Sequence, residues 1–241
     1  MWLLVALGLN VTLMYFITLY LGLFWCLCAV FVYATLTYFR GSHLNGYDSF
    51  ETFRSLSLWR KVSPVNIIMA DETMFNEVDA DDRYLFIVLP NITNTALVWG
   101  FGLHGRSEWN RLRLCYMLPN VLLSLFGLRE FFLWSGAVVG NNESRVLEMT
   151  RLGRNVVYAP NGMQDATFMK NDNAIQAKIP SGSVFQHAID RKYKIVPCVC
   201  TGERDRYAFW TFNWLVQVQE YFLKKIGYPF PLIFVPRRGL K

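Results

Sequence analysis

The stretch Tyr84-Leu-Phe-Ile-Val-Leu89, followed at once by Pro90-Asn91-Ile92, decides the fold class. Six apolar residues without polar alternation, set between an acidic segment (Asp71, Glu72, Glu77, Asp79, Asp81, Asp82) and a proline, read as a strand buried on both faces. Such a strand belongs to a sheet with helices on each side. Three further runs have the same character: Asn155-Val-Val-Tyr-Ala159, Ile195-Val-Pro-Cys-Val-Cys200 and Pro231-Leu-Ile-Phe-Val235, each bounded by Gly, Pro or Asn. Helical patterns fall between them over 142–152, 183–192 and 207–226, the last aromatic along one side. Alternating strands and helices predict an α/β domain.

Upstream the composition changes. Residues 1–39 contain no charged side chain. As one helix they would be about 58 Å long at about 1.5 Å per residue, and one membrane span needs only about 20 residues. The sequence therefore predicts a membrane hairpin over 1–39, either two short spans or a re-entrant loop turning near 18–22, and a single domain over 40–241. Arg40, Arg54, Arg60 and Lys61 follow the apolar segment and no Lys or Arg precedes it, which places the domain on the cytosolic side. The whole chain agrees: of 241 residues 53% are hydrophobic and 17% charged, which excludes a disordered or low-complexity protein. Its net charge of +6 shows neither a clustered basic stripe nor a nucleic-acid-binding module, so no nucleic-acid partner is expected. None of the five cysteines stands in a C-x2-C pair, and no metal site is expected. Sequons at Asn10, Asn91 and Asn142 fall on the membrane or cytosolic side in this topology.

Several segments, in order, resemble the type-2 diacylglycerol and monoacylglycerol acyltransferases of the glycerolipid acyltransferase superfamily. The stretch from Tyr84 to Ile92 is similar to the family's strand running into its His-Pro-His-Gly motif. Gly127-Leu-Arg-Glu-Phe-Phe-Leu-Trp-Ser-Gly136 resembles its Leu-Arg-Glu segment, and Val196-Pro-Cys-Val-Cys-Thr-Gly-Glu203 its Val-Pro…Phe-Gly-Glu segment. The block Lys224-Lys-Ile-Gly-Tyr-Pro-Phe-Pro-Leu-Ile-Phe-Val-Pro-Arg-Arg-Gly239 is similar to its Ile-Phe-x-Gly-Arg-Gly block. The resemblance covers about 84–241 and implies a mixed sheet flanked by helices. It also implies anchoring at the endoplasmic reticulum membrane or the lipid-droplet surface, and work on acyl-CoA and acylglycerol lipids with no cofactor beyond acyl-CoA as co-substrate.

In that family the second His of His-Pro-His-Gly acts as general base, and imidazole has the pKa for the task. Here the motif reads Leu89-Pro90-Asn91-Ile92, and a carboxamide orients a hydroxyl without accepting its proton. The family's second loop corresponds to Pro160-Asn161-Gly162 with Asp165, 70 residues after Pro90. The resemblance thus implies substrate-binding roles for Pro90, Asn161, Gly162, Asp165, Glu203, Arg237, Arg238 and Gly239. Rival bases are weaker. His43 and Asp48 have the superfamily's His-x4-Asp spacing but lie too close to the apolar segment, with Asp48 112 residues before Pro160. His104 lies 13 residues after Asn91, and His187 reads as a helical residue. Two readings stay open: a triacylglycerol-pathway O-acyltransferase that uses His104 or substrate positioning alone, and a catalytically dead relative that binds lipid or acyl-CoA as a regulatory or scaffolding partner, alone or in an oligomer with an active relative.

Overall fold

The computed structural model describes residues 10–15, 17, 22, 25, 27–33, 51–62, 65–70, 82–90, 94, 96–105, 107–124, 128–140, 142–160, 180–202, 207–209, 213–226 and 234–236. Five strands, β1 (Tyr84–Leu89), β2 (Cys115–Leu118), β3 (Ala137–Val139), β4 (Val156–Tyr158) and β5 (Lys194–Val199), pair in the order β3-β2-β4-β1-β5. Every pairing is parallel, so the sheet is not the mixed one the resemblance implied.

The unbroken apolar character of β1 follows from its place between β4 and β5. Tyr84, Phe86 and Val88 point into one layer with Tyr116, Leu118 and Val157, while Leu85 and Ile87 point into the other with Met117, Val156 and Tyr158. The first layer is covered by short helices α1 (Glu51–Arg54) and α2 (Leu58–Val62), a π-helix (Ala96–Gly102), a 3-10 helix (Ser107–Leu112), α3 (Asn120–Leu123) and α4 (Leu128–Trp134). The second is covered by α5 (Glu143–Arg151), through Val146 and Met149, and α6 (Gly182–Asp190), through Val184 and Ala188. Asn142 caps α5 by accepting the Arg145 N–H at 3.0 Å, so this sequon asparagine serves the helix start. Connections from β1 to β2 and from β2 to β3 run over the first face, and those from β3 to β4 and from β4 to β5 over the second. This is the division that right-handed crossovers demand when the chain moves first to one edge and then back.

Three expectations are corrected. The run 195–200 was expected to be covered on both faces, but β5 is the edge strand among the described residues and Val199 is 82% exposed. The run 231–235 does not enter the main sheet: β7 (Phe234–Pro236) pairs antiparallel with β6 (Tyr207–Phe209) in a separate two-stranded sheet. The helix expected from 207 begins later, as α7 (Asn213–Ile226), because the alternation Tyr207-Ala-Phe209 suits a strand. At the N terminus, residues 10–15 and 27–33 are helical and carry exposed Val11, Leu13, Tyr15, Leu27, Phe31 and Val32. Gly22, within the stretch expected to turn, has φ +74°. Among the described residues no helix is long and apolar enough to cross a membrane, and most of the hairpin expected over 1–39 lies outside them.

Candidate active site at the divergence of β1 and β4

β1 and β4 lie side by side, with Ile87 opposite Tyr158, yet the chain leaves them in opposite directions. After β1 it passes to the π-helix on the first face; after β4 it passes to α6 on the second. Adjacent strands whose connections diverge leave a crevice beyond their C-terminal ends, the place where open α/β sheets bind ligands. Its lips are set by Pro90 and Pro160, both buried, and the Leu89–Pro90 peptide is cis. Asn94 is buried with φ 56°, and its carbonyl accepts the Val98 N–H at 2.9 Å, which turns the chain into the π-helix. On the far side of β1, the Cys200 N–H donates to the Leu89 carbonyl at 2.9 Å, so the end of β5 forms the next part of the rim.

Of the residues singled out in the sequence, Pro90 stands at this crevice. Asn91 follows it directly, Asn161 follows Pro160 directly, and Glu203 follows Gly202; these three lie outside the described residues, as do Gly162, Asp165, Arg237, Arg238, Gly239, His43 and Asp48. Covalent continuity alone keeps Asn91 and Asn161 within one Cα step, about 3.8 Å, of the two prolines.

His104 is buried two residues beyond the π-helix. Gly102 packs so closely on Tyr116 that a Cβ there would come within 2.6 Å of the ring, and Tyr116 is in register with Val157, itself opposite Phe86. The His104 ring stands 5.8 Å from that of Trp109. The Gly105 N–H beyond it donates to the Arg54 carbonyl at 3.1 Å, fixing this segment against α1. His187 is half-buried within α6.

Two features were not singled out from sequence. Glu130, in the first turn of α4, is only 8% exposed and shares the buried side of that helix with Leu133 three residues on. The Arg129 Nε donates to its Oε1 at 3.0 Å, and the Arg129 guanidinium stands 5.8 Å from the centre of the Tyr33 ring. Burial outweighs the guanidinium and raises the Glu130 carboxyl to about 7. The signal was present in Leu128-Arg-Glu130, but charge pattern alone does not tell a buried carboxylate from a solvated one. The second feature is Arg54, buried beside the π-helix, whose Nε and Nη2 donate to the carbonyls of Gly102 and Phe101 at 3.1 and 3.2 Å. Gly136 explains part of its own motif: its φ is +92°, and a Cβ would meet the Arg54 guanidinium carbon at 2.9 Å.

The chemistry open to this arrangement is narrow. Cys198 lies opposite Val88 near the crevice, but burial pushes its thiol up to about 11, which makes it a poor nucleophile. Among the described residues no group of three His, Cys, Asp or Glu side chains is placed to hold a metal ion. The residues that follow the two buried prolines in sequence, Asn91 and Asn161, are carboxamides, which hydrogen-bond a hydroxyl or a carbonyl without exchanging a proton. Searches of curated proteins and of solved structures returned no match. The family model for diacylglycerol acyltransferase, however, matches residues 17–240, beginning well upstream of β1 and taking in both lips of the crevice. The chain belongs to the diacylglycerol acyltransferase family.

Proposed function

We propose that the protein is an acyl-CoA-dependent O-acyltransferase of acylglycerols that works at the crevice between β1 and β4, on the cytosolic surface of the endoplasmic reticulum membrane or of a lipid droplet. The observation that carries this reading is the divergence of the two connections, which brings the family's two loop motifs to neighbouring strand ends. In the reaction an acylglycerol hydroxyl oxygen bonds to the thioester carbonyl carbon, the C–S bond breaks, and the hydroxyl proton leaves with CoA as its thiol. Asn91 hydrogen-bonds the attacking hydroxyl but does not take its proton. Loss of general-base assistance costs about 10²–10⁴-fold in rate, so turnover is slow. Asn161, Gly162 and Asp165 line the opposite lip, Glu203 the rim beyond β5, and Arg237 and Arg238, beside Gly239, meet the CoA phosphates. Exposed apolar side chains of the N-terminal helical segments, among them Leu13 and Phe31, supply contact with the lipid phase.

A second reading has its own supporting observation: Asn91 stands at the position of the family's base, and buried His104 packs its ring 5.8 Å from that of Trp109. Without an imidazole at the crevice, the protein binds acyl-CoA or neutral lipid without turnover and acts as partner to an active relative. The discriminating experiment is incorporation of labelled acyl-CoA into acylglycerols by the detergent-solubilised full chain, beside its Asn91→His variant. Slow incorporation that rises in the variant supports the enzyme; no incorporation by either protein, with acyl-CoA still bound, supports the binding partner and overturns the first reading.

A further inference from the structure

Because all five strands are parallel, every segment that feeds a strand arrives at the same end of the sheet, opposite the crevice. Two of those segments are tied together there. The Tyr193 hydroxyl, just before β5, lies 3.0 Å from the Thr150 carbonyl and 2.9 Å from the Arg154 carbonyl, just before β4. The rim this makes carries Arg151, Arg154, Arg191 and Lys192, with Arg154 half-buried and the other three exposed. Set among these cations are two large apolar side chains held out in solvent, Leu152 at 55% and Ile189 at 61% exposure. Asp190, among the described residues, accepts a hydrogen bond from Gln186 at 2.8 Å. Neighbouring Lys194 is paired with Asp82 at 2.6 Å.

We propose that this rim is a docking surface for an anionic phospholipid bilayer. Three exposed cations, Arg151, Arg191 and Lys192, flanking two outward aliphatic side chains combine the two attractions that hold a protein at a lipid interface: charge toward acidic headgroups and shallow insertion of apolar tips. The rim stands apart from the crevice, since the six-residue β5 separates the two ends by about 17 Å. The rim is also no extension of the apolar N terminus, because Tyr33 meets the domain at Arg129 on the other face of the sheet.

The test is binding of the full chain to vesicles of phosphatidylcholine alone and of phosphatidylcholine with phosphatidylserine. Neutral vesicles report the N-terminal segment; the gain on adding the acidic lipid reports the rim. The wild-type chain is expected to gain about tenfold or more and to lose that gain at high salt. The triple variant Arg151→Glu, Arg191→Glu, Lys192→Glu is expected to lose the gain with neutral-vesicle binding unchanged. A Leu152→Ala, Ile189→Ala variant is expected to lose severalfold on acidic vesicles at unchanged salt dependence. No gain in the wild type, or a gain that survives the charge reversals, overturns the proposal. So does a charge-reversed chain that loses binding to polyglutamate but keeps its gain on acidic vesicles, which assigns the rim to an acidic protein partner.

Discussion

At the end of the sheet where strands begin, side chains stitch neighbour to neighbour; at the end where they stop, the chain turns on prolines and a left-handed asparagine. Asn155 shows the first style. Its Oδ1 accepts the Tyr84 N–H at 2.7 Å and its Nδ2 donates to the Leu112 carbonyl at 2.5 Å, so one residue ahead of β4 holds the start of β1 and the approach to β2. Asp82 adds bonds from the Tyr84 hydroxyl at 3.2 Å and Lys194 at 2.6 Å. Beyond β1 and β4 there are instead two buried prolines, Asn94 at φ 56° and loops that part to opposite faces. Among the described residues the side-chain bonds that tie strand to strand lie where the strands begin, and open parallel sheets bind ligands at the other end.

The largest expected effect lies at the crevice. Asn91→His restores a basic group beside Pro90 and is expected to raise acyl transfer by about 10²–10⁴-fold, read as labelled acylglycerol formed, with little change in melting temperature. The next belongs to the stitched end and its covering layer. Arg54→Ala leaves the carbonyls of Phe101 and Gly102 without their buried donor and is expected to cost about 3 kcal/mol in denaturant unfolding. Asn155→Ala removes two bonds at once, with an expected loss of about 2–3 kcal/mol. An equal loss from an alanine at exposed Thr201 would erase the contrast between the ends.

A smaller effect concerns pH. Glu130 has its carboxyl raised from 4.5 to about 7, so the folded chain holds a proton there that the unfolded chain has released. Its contribution to stability is fully present below about 4.5, declines as pH rises through about 7, and stays lower above. Glu130→Gln is expected to flatten that part of the melting-temperature profile between acid and alkaline buffer; a profile unchanged by the substitution would show that burial does not govern this carboxyl.

The contrast between the ends was only partly legible in the sequence. β1, β4 and β5 announced themselves because buried strands need apolar runs, and 84–89, 155–159 and 195–200 have them, although β5 proved to be an edge strand among the described residues. β2 and β3 were not singled out: four and three residues are too few to carry a period. Edge exposure of β5 was hidden for a related reason, since Ile195 and Val196 read as apolar whether or not a neighbour covers them. Helix α5 was bracketed closely because Asn142 gives a capping signal, whereas the aromatic run from 207 could serve helix or strand and did both. At the site, Pro90 and the loop leading to Asn94 were found through motif order. Glu130 was passed over because its burial depends on the packing of α4, which no local pattern encodes.

The placement of the acyl site at the divergence of β1 and β4 is tested most directly by photo-crosslinking. A photoreactive acyl-CoA would be bound to the full chain, irradiated, and the labelled peptides mapped by mass spectrometry. Label concentrated in the peptides that contain 89–94 and 159–165, and competed away by unlabelled acyl-CoA, is the predicted result. Competable label concentrated instead at 189–194, at the opposite end of the sheet, would contradict it.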